Sequence, residues 1–479
     1  MKKNLLLSLT FSALTHIAFG QADIWSPIVT NGFGTTQQYN VQGFVEFKDT
    51  LYVSAARKGI SGSAEVYRSG TGDVGSWGSP IIYDSSTTFN KGIPAWGTTS
   101  LGGGLMWMAT GNQTQGTKVY RTQNGTSWIP ISNFGFGNPL LWSPTPNMVL
   151  FQGTGDTIPY LYAGGNSHGG PAKSQVWRTP YTNTNPSSWN LIVDFNIRDT
   201  NVTQVTYFYV WNNKLYFGTN GDSLLYESTD GINFIANTGV ATSFLGSDLL
   251  IACLIEYNGI LYAGTNNQSP LFGGQLYRTP DGITWTNITA LLTAAGRQAS
   301  VDEELHDIDT ANGYLWITPY TDTVTSTSGM PVWHSTDNTV SAFVQSNLDG
   351  FGNPNIDGEN PSVSGFKGRE YFGGPNFVTG GQIWRTDVFT GIIEGENESC
   401  KTTVFPNPFS YNATIRFDID CGTISQLLVY DLTGKLILSL ENTTSNEVKV
   451  EKNNLNPGMY FYQIHTETGK SETGKFIIE

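Results

Sequence analysis

Seven times along this chain an aromatic residue is followed by a basic or polar one at the end of a short apolar stretch. The series reads VYR at 66–68, VYR at 119–121, VWR at 176–178, LYE at 225–227, LYR at 276–278, VWH at 332–334 and IWR at 383–385. Successive copies lie about 49 to 57 residues apart, a period long enough for one four-stranded propeller blade. Only 13% of the 479 residues are charged, while 55 are glycine and 13% are aromatic, as expected of many short strands joined by tight turns. No sustained amphipathic helical period appears, so the chain reads as all-β.

The fifth repeat shows how a blade is written. LLIACLIEY at 249–257 makes strand a, and Asn258-Gly259 is a strong hairpin signal. ILYAGT at 260–265 makes strand b and GQLYRT at 274–279 strand c. Pro280-Asp281-Gly282 then turns the chain into strand d, ITWTNI at 283–288. Strand b recurs as LYVSA, LMWMATG, LYAGG, LYFGT, LWITP and EYFGG. Trp77, Trp128, Trp189 and Trp285 share a place on strand d, and Trp177, Trp333 and Trp384 share one on strand c; all are expected in the core rather than stacked on a ligand.

The seventh repeat lacks an aromatic d strand after Arg385, whereas the region after residue 24 begins with WSPIVTNGFG at 25–34. That segment matches WIPISNFGFG at 128–137 without a gap, and Phe343 to Phe351 keeps the same spacing. The early segment is thus an orphan outer strand, and the vacancy lies in blade seven. Pairing the two satisfies an otherwise open sheet edge. The prediction is an all-β chain: a seven-bladed propeller over residues 21–392 closed by its N-terminal strand, with a small antiparallel sandwich beyond it.

Lys2 and Lys3 precede an apolar stretch ending near Phe19, with Ala18 and Gly20 in cleavage-like positions, so residues 1–20 read as a secretory signal peptide. No other segment approaches the ~20 apolar residues of a spanning helix. Export makes disulfides permissible. Cys253 falls within an apolar strand and is expected to be a buried thiol; a Cys400–Cys421 pairing stays open. The formal net charge of −14 and the lack of any basic run argue against nucleic acid or anionic lipid as a partner.

STDGINF at 228–234 and TPDGITW at 279–285 resemble the Asp-box of sialidase-type propellers. TQNGTSW at 122–128 is a looser copy with Asn124 in place of the acid, and STDNTVSAF at 335–343 lacks the glycine. The Asp side chain accepts backbone N–H bonds within such a turn, and the glycine supplies positive φ. The resemblance implies blade architecture. For activity it would imply three arginines clamping a carboxylate, an activated tyrosine and an acid/base carboxylate.

Beyond an acidic linker at 393–402, the chain carries FPNPF at 405–409, LLVYDLTGKLI at 427–437, LNPGMYFYQI at 455–464 and TGKFII at 473–478. Alternating β-branched and aromatic residues between turn residues give a small antiparallel sandwich. In this order, the motifs closely resemble the type IX secretion sorting domain, covering 403–479. The resemblance implies passage through the periplasm, engagement of the type IX machinery, and release outside the cell or attachment to its surface.

In a propeller the d-to-a and b-to-c loops share one face, the usual place for binding or chemistry. Setting aside repeat-position arginines leaves Arg57, Arg198 and Arg297 on that face, with Arg369 opposite. Asp302, Glu303, Glu304, His306, Asp307 and Asp309 cluster where the fifth repeat passes into the sixth, offering an acid/base group or Ca²⁺ ligands around 302–304. Arg57, Arg198, Arg297, Glu304 and His306 are the candidate ligand-binding residues, in exposed loops where substitution costs little stability. No catalytic residue is assigned: no Ser/His/Asp signature, Cys/His metal spacing or phosphate-binding glycine loop appears. The expectation is a surface module binding a glycan or protein, with a sialidase-like carbohydrate-active enzyme as the alternative.

Overall fold

A computed structural model of the chain describes residues 23–57, 64–80, 82–84, 90–94, 104–112, 115–141, 148–166, 173–321, 329–356, 358, 361–386, 402–417, 424–431, 436–441, 445, 447–453, 455–466 and 471–479. The expected signal peptide, the linker, Cys400 and Cys421 lie outside these. The chain divides into two compact units, Met1–Gly391 and Ile392–Glu479.

Short apolar runs between Gly, Asn and Asp turns build the first unit from antiparallel groups of four strands. Gln38–Phe47, Thr50–Arg57, Ala64–Ser69 and Ile82–Asp84 form the first group; Asn90–Pro94, Met106–Asn112, Lys118–Thr122 and Trp128–Pro130 form the second. The third holds Met148–Phe151, Tyr160–Gly165, Gln175–Pro180 and Asn190–Asp194, and the fourth Val205–Trp211, Lys214–Thr219, Leu225–Ser228 and Ile235–Ala236. The fifth group is Leu250–Tyr257, Ile260–Asn266, Leu276–Thr279 and Thr286–Asn287. It joins the sixth (Asp302–Ala311, Tyr314–Thr321, Trp333–Ser335 and Phe343–Gln345) through one pair, Asn266 opposite Glu304, so the two make one eight-stranded sheet.

The last group takes its fourth strand from far upstream. Ser362–Phe366, Arg369–Gly374 and Gln382–Thr386 are completed by Trp25–Val29, with Trp25 opposite Thr386 and Pro27 opposite Trp384. The early strand expected to complete the last group does pair there.

The glycine turns and strand-b tyrosines show how neighbouring groups meet. A Cβ on Gly125 would lie 1.9 Å from Tyr52 Oη, and one on Gly231 would lie 2.0 Å from Tyr162 Oη. Each of these turns therefore rests on a tyrosine of the preceding group, and φ of 74° and 68° adds a second reason for glycine. Gly72 of the first group rests in the same way on Tyr371 of the last, at 1.9 Å. Arg385 Nη1 also reaches Asp73 Oδ1 at 2.6 Å, so the last group packs on the first.

Two features differ from the sequence reading. The outer strand expected over 283–288 is only Thr286–Asn287, because the Asp281 carboxylate holds Ile283 N (2.8 Å) and Thr284 N (2.7 Å) in the turn. Short helices occupy loops between groups: Phe195–Arg198, Thr238–Ser243 and Thr289–Ala294. One or two turns are too short to leave a helical period. Asn237 caps the second, accepting from Val240 N at 3.1 Å.

An aromatic eight residues after each matched outer-strand start forms an unexpected clamp. Phe136 stacks on Trp177 at 5.4 Å and meets Trp189 edge-on at 5.0 Å. Phe351 stacks on Trp384 at 4.7 Å and meets Trp25 edge-on at 5.2 Å. Phe33 does the same with Tyr67 and Trp77, and Phe244 with Tyr277 and Trp285. Trp25 thus stands in the last group where Trp189 stands in the third.

The second unit is two antiparallel sheets. Thr402–Phe405, Asn412–Phe417 and Glu447–Glu451 form one; Leu436–Glu441, Ile424–Tyr430, Gly458–Thr466 and Ser471–Ile478 form the other. Ile415 and Val450 from the first pack with Leu427, Ile464 and Phe476 from the second in one buried cluster, the sandwich expected from alternation.

Candidate functional site

The junction of the fifth and sixth groups concentrates the chemistry. Strand Asp302–Ala311 opens with bulges, since Asp302 faces Thr321 but Glu304 faces Tyr320, and Leu305 faces Pro319 but Asp307 faces Thr318. Bulges re-aim side chains, and here they bring alternate residues of an acidic run to different neighbours.

Glu304 and His306 come together, with Glu304 Oε1 2.6 Å from His306 Nδ1. The other oxygen, Oε2, accepts from Asn266 Nδ2 at 2.7 Å. Both side chains keep some access to solvent, 15% for Glu304 and 21% for His306. Burial pushes the Glu304 carboxyl up, but the His306 charge and the hydrogen bonds outweigh it and hold the carboxyl below its usual range.

Arg297 and Arg198 do not converge on this pair. Arg297 is only 5% exposed, so the expected loop-surface position does not hold. Its Nη2 donates to Phe272 O at 2.8 Å, tying two loops together, and burial lowers its proton affinity against the opposing charge of Asp302. Arg198 ends helix Phe195–Arg198, donates to Phe234 O and lies 5.0 Å over the Tyr226 ring. Those partners belong to the fourth group, apart from Phe272 and Asp302. Arg57 ends its strand opposite Gln38, and its side chain lies outside the described residues.

Asp302 is 2% exposed and accepts from Gln298 N at 2.8 Å. Burial pushes its carboxyl up to about 6, against the pull of Gln298 N and Arg297. It lines a small cleft of about 40 Å³ with Gln298, Thr321, Gln345 and Asp349. Glu303 sits on the bulge, its carbonyl accepting from Asn267 N at 2.7 Å. Among the described residues, no three His, Cys, Asp or Glu side chains converge as a metal site.

Further along the strand the acids turn to the last group. Asp307 Oδ2 accepts from Ser362 Oγ (2.9 Å) and Val363 N (3.0 Å), and Asp309 Oδ2 from Gly365 N (2.7 Å). Burial pushes them up to about 6 and about 7. Beside them lies Glu370, fully buried, with both carboxylate oxygens unpartnered. Burial first, then the charges of Asp309 and Asp307, raise it well above the usual range. The sequence carried a signal for it: EYFGG puts an acid where the other strands b carry Leu or Met. Thr321, Gln345 and Asp349 had no such signal, being ordinary loop and strand-end residues.

Residues 403–479 match the secretion system C-terminal sorting domain family. No curated protein matches the chain. Among solved structures it resembles PorZ, described as an essential bacterial surface component of the type IX secretion system of Porphyromonas gingivalis, at 13% identity and a TM-score of 0.46. That match covers 95% of this chain, which spans 61% of the PorZ chain. A catalytically inactive variant of virginiamycin B lyase from Staphylococcus aureus matches at 10% identity and a TM-score of 0.49, covering 76% of this chain and all of that one. The β-propeller domain of the trilobed protease from Pyrococcus furiosus matches at 8% identity and a TM-score of 0.40, covering 73% and 95%. No helix among the described residues is long and apolar enough to cross a membrane. The chain carries a type IX sorting domain at 403–479, which directs its export to the cell surface or the extracellular space.

Proposed function

We propose that the first unit is a seven-bladed propeller that, once exported, binds a glycan at the end where its fifth and sixth blades meet. Seven strand groups in chain order, the Trp25–Val29 closure and the packing of Gly72 on Tyr371 support the ring. The observation that carries the site is the Glu304–His306 pair, solvent-accessible and held by Asn266 on a bulged strand. A carboxylate beside an imidazole offers acceptor and donor together, the combination that orients sugar hydroxyls. The sialidase-type alternative draws no support from Arg198 or Arg297, each of which donates to a backbone carbonyl.

A glycan array probed with the purified chain tests this, run beside a panel of glycosidase substrates. Binding without turnover, weakened in Glu304→Gln, is the expected result. Turnover would favour the hydrolase. A silent array, or binding indifferent to Glu304→Gln and His306→Asn, would remove the glycan site, and a protein ligand would then be sought by cross-linking at the cell surface.

A further inference from the structure

The cleft beside Asp302 is lined by oxygen-bearing groups, and we infer that it is a Ca²⁺ site built on Asp302 and Asp349. Gln298, Thr321 and Gln345 complete the polar lining. Among the described residues, no Lys, Arg or His lines the cleft. Arg297 lies behind Asp302, with its Nη2 donated to Phe272 O.

Each carboxylate has one oxygen held by the protein: Asp302 Oδ2 by Gln298 N at 2.8 Å, and Asp349 Oδ1 by Gln345 Nε2 at 2.6 Å. Among the described residues no N–H donates to the second oxygen of either, and the Thr321 hydroxyl lies beside the Asp302 carboxylate. Gln345 donates through Nε2 to both Asn347 O and Asp349, which leaves its amide oxygen as an acceptor. A second observation adds to the acids. Thr321 Oγ1 is buried and lines the cleft, lying beside the Asp302 carboxylate without a well-formed hydrogen bond. Such a hydroxyl carries a desolvation cost that an occupant would relieve.

Two carboxylates with neutral amide and hydroxyl oxygens, and no nitrogen or sulfur donor, match the preference of a hard cation. Calcium tolerates irregular coordination and completes its shell with water, which the open side of this cleft of about 40 Å³ admits. Two charges and a loop-borne frame correspond to the weak end of calcium affinity, ~10⁻⁴–10⁻³ M, as in extracellular modules. The site differs from the one the acidic run 302–304 suggested. Only Asp302 is retained, because Glu304 is bound to Asn266 and His306.

Calcium titration of the purified chain, read by thermal unfolding and by calorimetry, tests the inference. Wild type should gain thermal stability over the millimolar range, and Asp349→Asn should bind about tenfold or more weakly while melting like wild type without calcium. Asp302→Asn serves as the second variant should Asp349→Asn fail to fold. An unshifted wild type overturns the proposal, as does a calcium response of equal affinity in a folded variant. Neither result bears on the glycan reading, which stands on Glu304 and His306.

Discussion

Trp25 Nε1 donates a hydrogen bond of 2.9 Å to Ser346 Oγ, across 321 positions of sequence. Ser346 Oγ in turn donates to Asp23 Oδ2 at 2.5 Å, and His334 Nε2 lies 3.1 Å from the same carboxylate oxygen. The early segment therefore pairs as a strand with the last group while its polar groups anchor on the sixth. Its indole packs edge-on against Trp316 and Phe351. One residue links backbone pairing, hydrogen bonding and aromatic packing at the closure.

Trp25→Ala should lower stability by ~3 kcal/mol, as large aromatic truncations in packed sites do. Trp25→Phe should retain part of that, losing the bond to Ser346. Urea unfolding of the purified chain measures both. Equal midpoints for wild type and Trp25→Ala would show that the strand does not stabilise the last group.

Glu370 gives a pH prediction. Asp307 and Asp309 sit near 6 and 7 in the fold, and Glu370 is raised further, whereas all three ionise near 4 when unfolded. The folded state then binds more protons above pH 4, so this contribution favours folding in acid and fades as pH rises from about 4 through 7. Glu370→Leu, restoring the residue type of the other strands b, should raise stability at pH 8 by ~1–3 kcal/mol and flatten the pH profile. Melting curves from pH 4 to 8 decide it. An unchanged profile would show that Glu370 has partners the structure does not contain.

Asp230 works in the opposite direction. Burial is the largest single influence and pushes its carboxyl up, but the carboxylate accepts from Ile232 N (2.8 Å), Asn233 N (2.7 Å) and Ser228 Oγ (2.9 Å), and together these bonds hold it well below the usual range. Its contribution is present above the unfolded value near 4 and is lost as pH falls through the lower folded value. Asp230→Ala should cost ~1–2 kcal/mol at pH 7 and little at very low pH. Chemical unfolding at the two pH values checks the difference.

Deleting residues 403–479 should abolish surface delivery, since this segment carries the sorting domain. Because the two units are compact separately, the first should stay folded and collect in the periplasm. Cell fractionation with limited proteolysis measures both. Normal surface delivery of the truncated chain would place the export signal elsewhere.

Much of the fold was legible because it repeats. The aromatic–basic strand ends recur in register, and the match of 25–34 to 128–137 marks the early segment as an outer strand for the last group. The Phe136 and Phe351 clamps lay within that match, yet spacing alone does not say which neighbouring group a ring enters. The candidate site was less legible. Arg297 reads as a loop residue because the backbone around it is irregular, but Phe272 O and the overlying loop bury it. Two bulges separate the acids 302–309 among three neighbours, and a bulge leaves no periodic trace in sequence. Asp349 joins Asp302 only through folding of distant loops.

The pairing of Trp25–Val29 with Gln382–Thr386 also bears on the order of assembly. The strand emerges early in synthesis, while its partner follows only after most of the first unit has been made. Long-range pairings of this kind are late and slow, because the intervening chain must be ordered first. Until then Gln382–Thr386 has an open edge and Trp25 has no cage of aromatic rings. A chain threaded through a membrane during synthesis would pass with these two strands still unpaired, and they would join only once both reached the same side.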